Sequence, residues 1–189
     1  MTIIITKLYG VLKVIVMLKL VEATAIKQES IIDYRNSYLN KAEVFPIISQ
    51  IEYYYIFLDK DIYHYYFLVD ESNPDYIIGA GCINPFPTPE FAKKNKGCIG
   101  YSIRPKERDK GYGTKILSLL LEKCKDFKLK YVTISCLESN AASRLIIEKN
   151  GGEFRKTFVD SKTNESGINY IIKLGKKMWW QNMWNVCNR

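Results

Sequence analysis

Residues 97–113, Gly-Cys-Ile-Gly-Tyr-Ser-Ile-Arg-Pro-Lys-Glu-Arg-Asp-Lys-Gly-Tyr-Gly, predict a strand, a tight basic turn and the start of a helix at about Gly113. The turn carries the pattern Arg-x-x-Gly-x-Gly, from Arg108 through Gly111 to Gly113. Glycine permits positive φ, and the unpaired N–H groups and dipole of a helix start favour an anion. Five basic residues lie in or beside the turn: Arg104, Lys106, Arg108, Lys110 and Lys115. The stretch therefore predicts a site for a phosphate or pyrophosphate.

The spacing of this turn separates it from two other phosphate-binding loops. No Gly-Lys-Ser/Thr closes the turn, which excludes a Walker loop. No Gly-x-Gly-x-x-Gly is present, which excludes a dinucleotide fingerprint. The pattern alone is also compatible with an Arg/Gly-rich surface turn, so its interpretation depends on the rest of the chain.

Cysteine and histidine usage excludes several kinds of chemistry. The five cysteines are widely spaced without Cys-x-x-Cys, which disfavours a disulfide framework or zinc site and fits a reducing cytoplasm. The single histidine, His64, lies in an aromatic run and is expected in a strand, so catalytic triads and multi-histidine metal sites are disfavoured. The net charge of +8 suits an anionic partner without choosing among CoA, nucleic acid and a membrane surface.

The 189 residues predict one domain at 17–174, with an N-terminal extension at 1–16 and a Trp-rich tail at 175–189. The longest uninterrupted apolar run in the extension, Val14 to Leu18, is too short to span a bilayer, so no membrane insertion is expected. The tail is expected to dock on its own domain; a homodimer contact or a membrane surface is the alternative.

Hydrophobic periodicity and turn signals give the order of the elements. Strands are predicted at 18–23, 63–69, 76–83, 98–104, 131–137, 153–159 and 168–174, and helices at 25–38, 46–57, from about 113, and at 141–149. A short turn is predicted at 91–95, and Asn150-Gly151-Gly152 is a helix-stop signal.

This order and the Arg-x-x-Gly-x-Gly turn resemble the GNAT superfamily of N-acetyltransferases over roughly residues 17–174. A second segment, Asn140 to Ser143 followed by Asn150 to Gly152, resembles the motif that follows the superfamily's fifth strand. Gly97 to Pro105 further resembles a bacterial branch of acetyltransferases, with Cys98 in the place of a histidine. The resemblance implies an α/β (α+β) fold: a mixed central sheet of six to seven strands flanked by about four helices.

The resemblance also implies transfer of an acetyl group from acetyl-CoA to a primary amine, by direct attack in a ternary complex. The acceptor would be a small molecule or a peptide, entering between about Lys41 to Ile47 and the turn from Asp160 to Gly167. Pyrophosphate would rest on the N–H groups of the basic turn, and pantetheine would pair with the strand before it. The implied CoA-binding residues are Tyr101, Ser102, Ile103, Arg108, Asp109, Lys110, Gly111, Tyr112, Gly113, Thr114, Asn140 and Ser143.

The acid and the base are less well defined by the sequence. Glu138 is the first candidate for the base, and a solvated loop carboxylate is the alternative reading. Tyr101 is a second candidate. Many superfamily members place a tyrosine acid where this chain has Ile147, so Ser143, Tyr170 or water would substitute. Asn140 and Ser143 could instead be a helix cap and a packing residue.

Two other functional classes stay open at this stage. Ile147 and Cys98 motivate a non-catalytic acyl-CoA-binding or sensing module. A nucleic-acid-binding protein is disfavoured because no basic helix or RNA-stacking signature is present. An acyl-cysteine intermediate on Cys98 or Cys136 is disfavoured because no histidine is available to activate the thiol.

Overall fold

The computed structural model describes residues 3–9, 12–38, 63–87, 97–159 and 164–175. The predicted helix at 46–57, the turn at 91–95, the proposed acceptor segment at 41–47 and the tail from residue 176 lie outside the described residues. So does part of the polar turn at 160–167.

A five-stranded antiparallel sheet forms the first half of the fold. Its strands, in spatial order, are β1 (Ile3–Tyr9), β2 (Leu12–Glu22), β3 (His64–Asp70), β4 (Asn73–Ile83) and β5 (Ile99–Ile103). The predicted hairpin of β3 and β4 is confirmed, with Tyr66 opposite Gly81. Strand β2 begins six residues earlier than the predicted start at residue 18, and it pairs with β1 over its first half. Residues 3–9 and 12–16 are therefore part of the sheet.

A three-stranded antiparallel sheet forms the second half, in the order β6 (Tyr131–Leu137), β8 (Ser166–Lys173) and β7 (Glu153–Val159). The predicted bounds of β6 and β7 are confirmed. The sequence therefore predicted an α/β fold correctly, while the strands divide between two sheets rather than forming one.

Three α-helices cover the sheets in the described part of the chain: α1 (Gln28–Asn36), α2 (Tyr112–Asp126) and α3 (Ala141–Lys149). Helix α1 covers one face of the first sheet, where Tyr34 packs with Phe67 and Ile77. Helix α2 covers the opposite face and places Ile116 and Leu120 over β4. Burial of these fully enclosed side chains contributes roughly 1.5–3 kcal/mol each.

The two sheets meet at the start of β5 and then separate. The Cys98 N–H donates to the Thr133 carbonyl over 2.6 Å, so the chain before β5 contacts the middle of β6. Beyond this point the described strands β5 and β6 share no ladder, since they belong to different sheets. One edge of β5 therefore faces a cleft between the sheets.

Candidate functional site

The backbone of β5 presents alternate residues to the cleft. The Arg104 N–H donates to the Ile78 carbonyl, and the Asn84 N–H donates to the Cys98 carbonyl, both over 2.8 Å. Even-numbered residues of β5 thus direct their polar backbone groups toward β4, because these groups alternate along an antiparallel strand. The N–H and C=O groups of Tyr101 and Ile103 consequently face the cleft, whereas those of Gly100 and Ser102 face β4.

The basic turn leads directly into the N-terminus of α2. The first backbone bond of that helix runs from the Lys115 N–H to the Gly111 carbonyl. The N–H groups of Gly113 and Thr114 therefore have no partner within the helix. Gly111 has φ 81°, and an added Cβ there would meet nothing within 4 Å, so the position requires glycine for its backbone conformation.

The start of α2 lies beside both β5 and α3. A Cβ placed on Gly113 would be 2.6 Å from Ile146 Cδ1 and 4.0 Å from Ile103 Cγ1. The Asn150 side chain donates to the Thr114 carbonyl over 3.2 Å and fastens the end of α3 to the first turn of α2. The predicted anion site, the open edge of β5 and helix α3 therefore converge.

The basic side chains of the turn have different environments. Lys106, Arg108, Asp109 and Lys110 are exposed. Lys110 pairs with Glu107 over 2.9 Å, and Glu107 also accepts a hydrogen bond from Tyr76. The hydrogen bond to Glu107 raises the pKa of Lys110, so this ammonium group stays charged.

The interpretation of Arg104 as a member of this basic cluster is wrong. The Arg104 guanidinium is 5% exposed and points toward α1, where it donates to the Asp33 carboxylate over 2.8 Å and to the Ile77 carbonyl over 2.7 Å. Lys115 is 8% exposed, and burial lowers its pKa. The Arg104 side chain therefore belongs to the packing between α1 and the first sheet.

Tyr101 places a buried hydroxyl between β5 and α3. Its oxygen has no hydrogen bond of good geometry to any described residue, although Ser143 lies close enough to moderate its acidity. Burial raises the pKa of the Tyr101 phenol to about 12. At neutral pH the group therefore keeps its proton and can donate it. This arrangement is the main chemical feature of the cleft.

The start of α3 gathers three of the predicted site residues. Asn140 caps the helix, since its Oδ1 accepts the Ser143 N–H over 3.0 Å. The capping role that the sequence left open is therefore confirmed, and contact of Asn140 with CoA stays a prediction. Glu138 follows the end of β6 and is exposed. No described hydrogen bond or ion pair joins the Glu138 carboxylate to Tyr101 or Ser143.

The position at which the sequence resemblance implies a tyrosine acid holds a core residue here. Ile147 is 1% exposed. Tyr170 is also buried, and its hydroxyl donates to the Glu148 carboxylate over 3.0 Å. Burial, followed by this hydrogen bond, raises the pKa of Tyr170. Tyr101 therefore has the hydroxyl with the fewest competing contacts among these candidates.

The cysteines of the described region do not resemble activated nucleophiles. Cys82 and Cys124 are buried, and burial raises the pKa of each thiol to about 12. Burial also raises the pKa of Cys136, and Cys98 lies 3.4 Å from the Thr133 hydroxyl. Within the described ranges, no group of three or more His, Cys, Asp or Glu side chains could hold a metal ion. No helix among these residues is long and apolar enough to cross a bilayer.

Sequence reasoning missed the contacts between α1 and β5. The helix predicted at 25–38 includes Tyr34 and Tyr38, but the sequence alone does not show that their hydroxyls reach the backbone and a side chain of β5. The available signal was their spacing of four residues, which puts two hydroxyls on one side of a helix.

Comparison with known protein families gives one match. The acetyltransferase (GNAT) domain family matches residues 25–153. No curated protein sequence matches the chain.

Several solved structures share the fold. A spermidine N-acetyltransferase chimera from Vibrio cholerae and hSSAT has a TM-score of 0.63 at 12% identity, covering 91% of this chain and 99% of that one. The Salmonella typhimurium acetyltransferase that modifies the N-terminal serine of ribosomal protein L7/L12 has a TM-score of 0.62 at 13% identity, covering 82% and 94%. The aminoglycoside acetyltransferase AAC(6′)-Ib, solved with coenzyme A, has a TM-score of 0.61 at 16% identity, covering 82% and 94%.

Proposed function

This chain belongs to the GNAT family of acetyltransferases, and from that premise we propose that it transfers the acetyl group of acetyl-CoA to a primary amine. The chain is an acetyltransferase, and acetyl-CoA is its co-substrate. The observation that supports the proposal best is the convergence, in one cleft, of the open edge of β5, the N-terminus of α2 and the protonated hydroxyl of Tyr101.

CoA would contact three parts of this cleft. Its pyrophosphate would accept hydrogen bonds from the turn and the first N–H groups of α2, between Arg108 and Thr114, because a helix N-terminus favours anions. Its pantetheine arm would pair with the cleft-facing backbone of Tyr101 and Ile103. Ser102 would contribute indirectly, since its buried side chain bonds to Tyr34 on the opposite face. Asn140 and Ser143, at the start of α3, would border the arm.

The chemical step is attack of a neutral amine on the carbonyl carbon of the thioester. The carbonyl oxygen becomes an oxyanion, and the Tyr101 N–H is the cleft-facing donor that would stabilise it. Collapse of this intermediate breaks the C–S bond and releases a thiolate, which takes a proton from the Tyr101 hydroxyl, with Ser143 beside it. The amine loses one proton to Glu138 or water, and transfer of that proton through solvent restores the Tyr101 phenol, so the net products are an amide and the free thiol of CoA.

The fold leaves a choice between acceptor classes. The similar structures include enzymes named for spermidine, for aminoglycosides and for the N-terminal serine of a ribosomal protein. We propose a primary amine as the common acceptor group of this chain, either in a small molecule or at an exposed peptide position. Orientation of the amine against the thioester would supply a large part of the rate.

The test is a thiol-release assay with acetyl-CoA across polyamines, aminoglycosides, amino acids and peptides with different N-termini. The proposal expects release of one thiol for each amide formed with at least one acceptor, and mass spectrometry should identify the amide nitrogen. Binding of CoA with no thiol release over the whole panel would contradict the proposal and favour a CoA-binding module without turnover.

A further inference from the structure

Tyr34 of α1 and Tyr38, which follows the end of that helix, contact β5 at residues that border the cleft. The Tyr38 hydroxyl donates to the Ile103 carbonyl over 2.7 Å. The Tyr34 hydroxyl lies 3.0 Å from the Ser102 hydroxyl and 3.0 Å from the Tyr38 hydroxyl. Tyr34 and Tyr38 are 1% and 2% exposed, so these bonds form in an environment largely closed to water.

The direction of these hydrogen bonds follows from counting protons. A phenol has one proton to donate, and the short bond of Tyr38 to Ile103 uses it. Tyr34 can then donate to Tyr38 or to the Ser102 carbonyl, which is 3.2 Å away, and the Ser102 hydroxyl can donate to Tyr34. The raised pKa of Tyr34, which burial causes first of all, agrees with a phenol that stays protonated. A hydrogen-bond network therefore joins Ser102, Tyr34, Tyr38 and the Ile103 carbonyl, and the members of such a network strengthen one another.

The peptide unit between Ile103 and Arg104 is hydrogen-bonded on both sides of the strand. The carbonyl of Ile103 and the N–H of Arg104 belong to the same planar peptide group. The carbonyl faces the cleft and binds Tyr38, while the N–H faces β4 and donates to the Ile78 carbonyl over 2.8 Å. Arg108 Nε also approaches the Ile103 carbonyl, at 3.4 Å. The peptide lies where the strand becomes the basic turn, so its orientation sets how the two are joined.

We propose that Tyr38 is a positioning residue for the pantetheine arm of CoA, acting through the Ile103 carbonyl at the open edge of β5. This inference rests on the proposed function. A carbonyl oxygen has two lone pairs: Tyr38 occupies one over 2.7 Å, and an amide N–H of the arm would take the other in place of the longer 3.4 Å bond from Arg108 Nε. Tyr38 thereby holds the last cleft-facing peptide of the strand in the plane that an added extended chain needs.

The inference predicts which part of CoA depends on Tyr38. Tyr38→Phe removes one hydroxyl and keeps the ring, so the Ile103 peptide loses its support on the cleft side. We expect the affinity for CoA to fall about fivefold, as for loss of one buried hydrogen bond. The affinity for 3′-phospho-ADP, which is CoA without the pantetheine arm, should stay unchanged. Isothermal titration calorimetry with both ligands measures the difference.

The control is Tyr131→Phe, which makes the same chemical change at an exposed residue of β6. Incorporation of 4-aminophenylalanine at position 38 restores a donor and should restore CoA affinity. Thermal unfolding shows whether each variant is folded. If Tyr38→Phe is not, Tyr38→Met removes the same donor with a more adaptable side chain and is tested in the same way.

Three outcomes for the Tyr38 variants test the positioning role of Tyr38. A loss confined to CoA, reversed by the amino analogue, supports the inference. An equal loss for both ligands overturns it and assigns Tyr38 to the phosphate turn through Arg108. Equal affinities of Tyr38→Phe and the wild type for CoA also overturn it while leaving the proposed function intact. Failure of the wild type to bind CoA would instead contradict the proposed function itself.

Discussion

At the scale of single residues, Tyr101 gives the clearest prediction about the chemical step. Burial raises the pKa of its phenol to about 12, so the hydroxyl keeps its proton and is available as a donor at any pH at which the protein is assayed. Tyr101→Phe removes this donor and keeps the backbone N–H that faces the cleft. We expect kcat to fall about a hundredfold, the typical scale for loss of a general acid, with little change in the KM for acetyl-CoA.

Steady-state thiol release measures both constants, and Tyr131→Phe is the matched control. The raised pKa also predicts how kcat depends on pH. Since the folded pKa is raised, loss of the Tyr101 proton should not depress kcat of the wild type until the pH approaches about 12. A kcat of Tyr101→Phe within twofold of the wild type would remove the hydroxyl from the mechanism.

Glu138 is the candidate general base, and it is exposed to solvent. Its carboxylate is exposed at the end of β6, where water can carry protons away. If it accepts the proton of the attacking amine, Glu138→Gln should lower kcat more than it raises the KM for acetyl-CoA. Measurement of kcat between pH 6 and 10 tests this role. The control is Glu122→Gln, an exposed carboxylate that pairs with Lys125 on α2.

A pH–rate profile of Glu138→Gln that matches the wild type would exclude Glu138 as the base. Water would then be left as the proton acceptor.

At the scale of elements, the junction of the basic turn and α2 depends on the backbone of Gly111. Its φ of 81° is unfavourable for a β-branched residue, although no atom lies within 4 Å of an added Cβ. Gly111→Val should therefore act through the conformation of the turn, displacing the N–H groups of Tyr112 to Thr114. We expect CoA binding to be lost in calorimetry, while circular dichroism shows a folded protein.

The chain offers a matched control in Gly151. It has φ 83° and also meets nothing within 4 Å, but it ends α3 rather than the basic turn. Gly151→Val should cost a similar roughly 1–3 kcal/mol of stability and leave CoA affinity unchanged. If Gly111→Val binds CoA as well as Gly151→Val does, the assignment of the phosphate site to this turn is wrong.

Elements with strong local signals could be predicted from the sequence. The bounds of β6, α3 and β7 were predicted correctly because their periodicity is regular and Asn150-Gly151 marks the stop between two of them. The missed features depend on distant partners. Arg104 pairs with Asp33, which is 71 residues away, and β2 is extended by its pairing with β1. Local patterns carry no information on either contact.

The candidate site also has parts that local sequence predicts and parts that depend on distant contacts. The anion-binding turn is predictable because glycines and a helix start place N–H groups over a few consecutive residues. The raised pKa of the Tyr101 hydroxyl could not be predicted in this way, since its burial depends on helix α3, about 40 residues later in the chain. The cleft itself also requires two sheets that meet and separate, which no single stretch of sequence encodes.

At the scale of the whole molecule, the cleft depends on the contact between the two sheets at Gly97. A Cβ added to Gly97 would lie 2.6 Å from Ile134 Cα and 2.8 Å from the Ser135 nitrogen. Both are backbone atoms of β6, so they cannot move aside as the end of a side chain could. The Cys98 N–H bond to the Thr133 carbonyl lies next to this contact and holds the sheets together.

Gly97→Ala should therefore push the two sheets apart where they meet. We expect a loss of about 1–3 kcal/mol in the free energy of unfolding, the usual scale for overpacking, measured by urea denaturation. The affinity for CoA should fall as well, because the open edge of β5 would shift relative to α3. Gly175→Ala is the control, since a Cβ there meets nothing within 4 Å. Unfolding and CoA affinity of Gly97→Ala that match this control would show that the cleft does not depend on close contact of the sheets at Gly97.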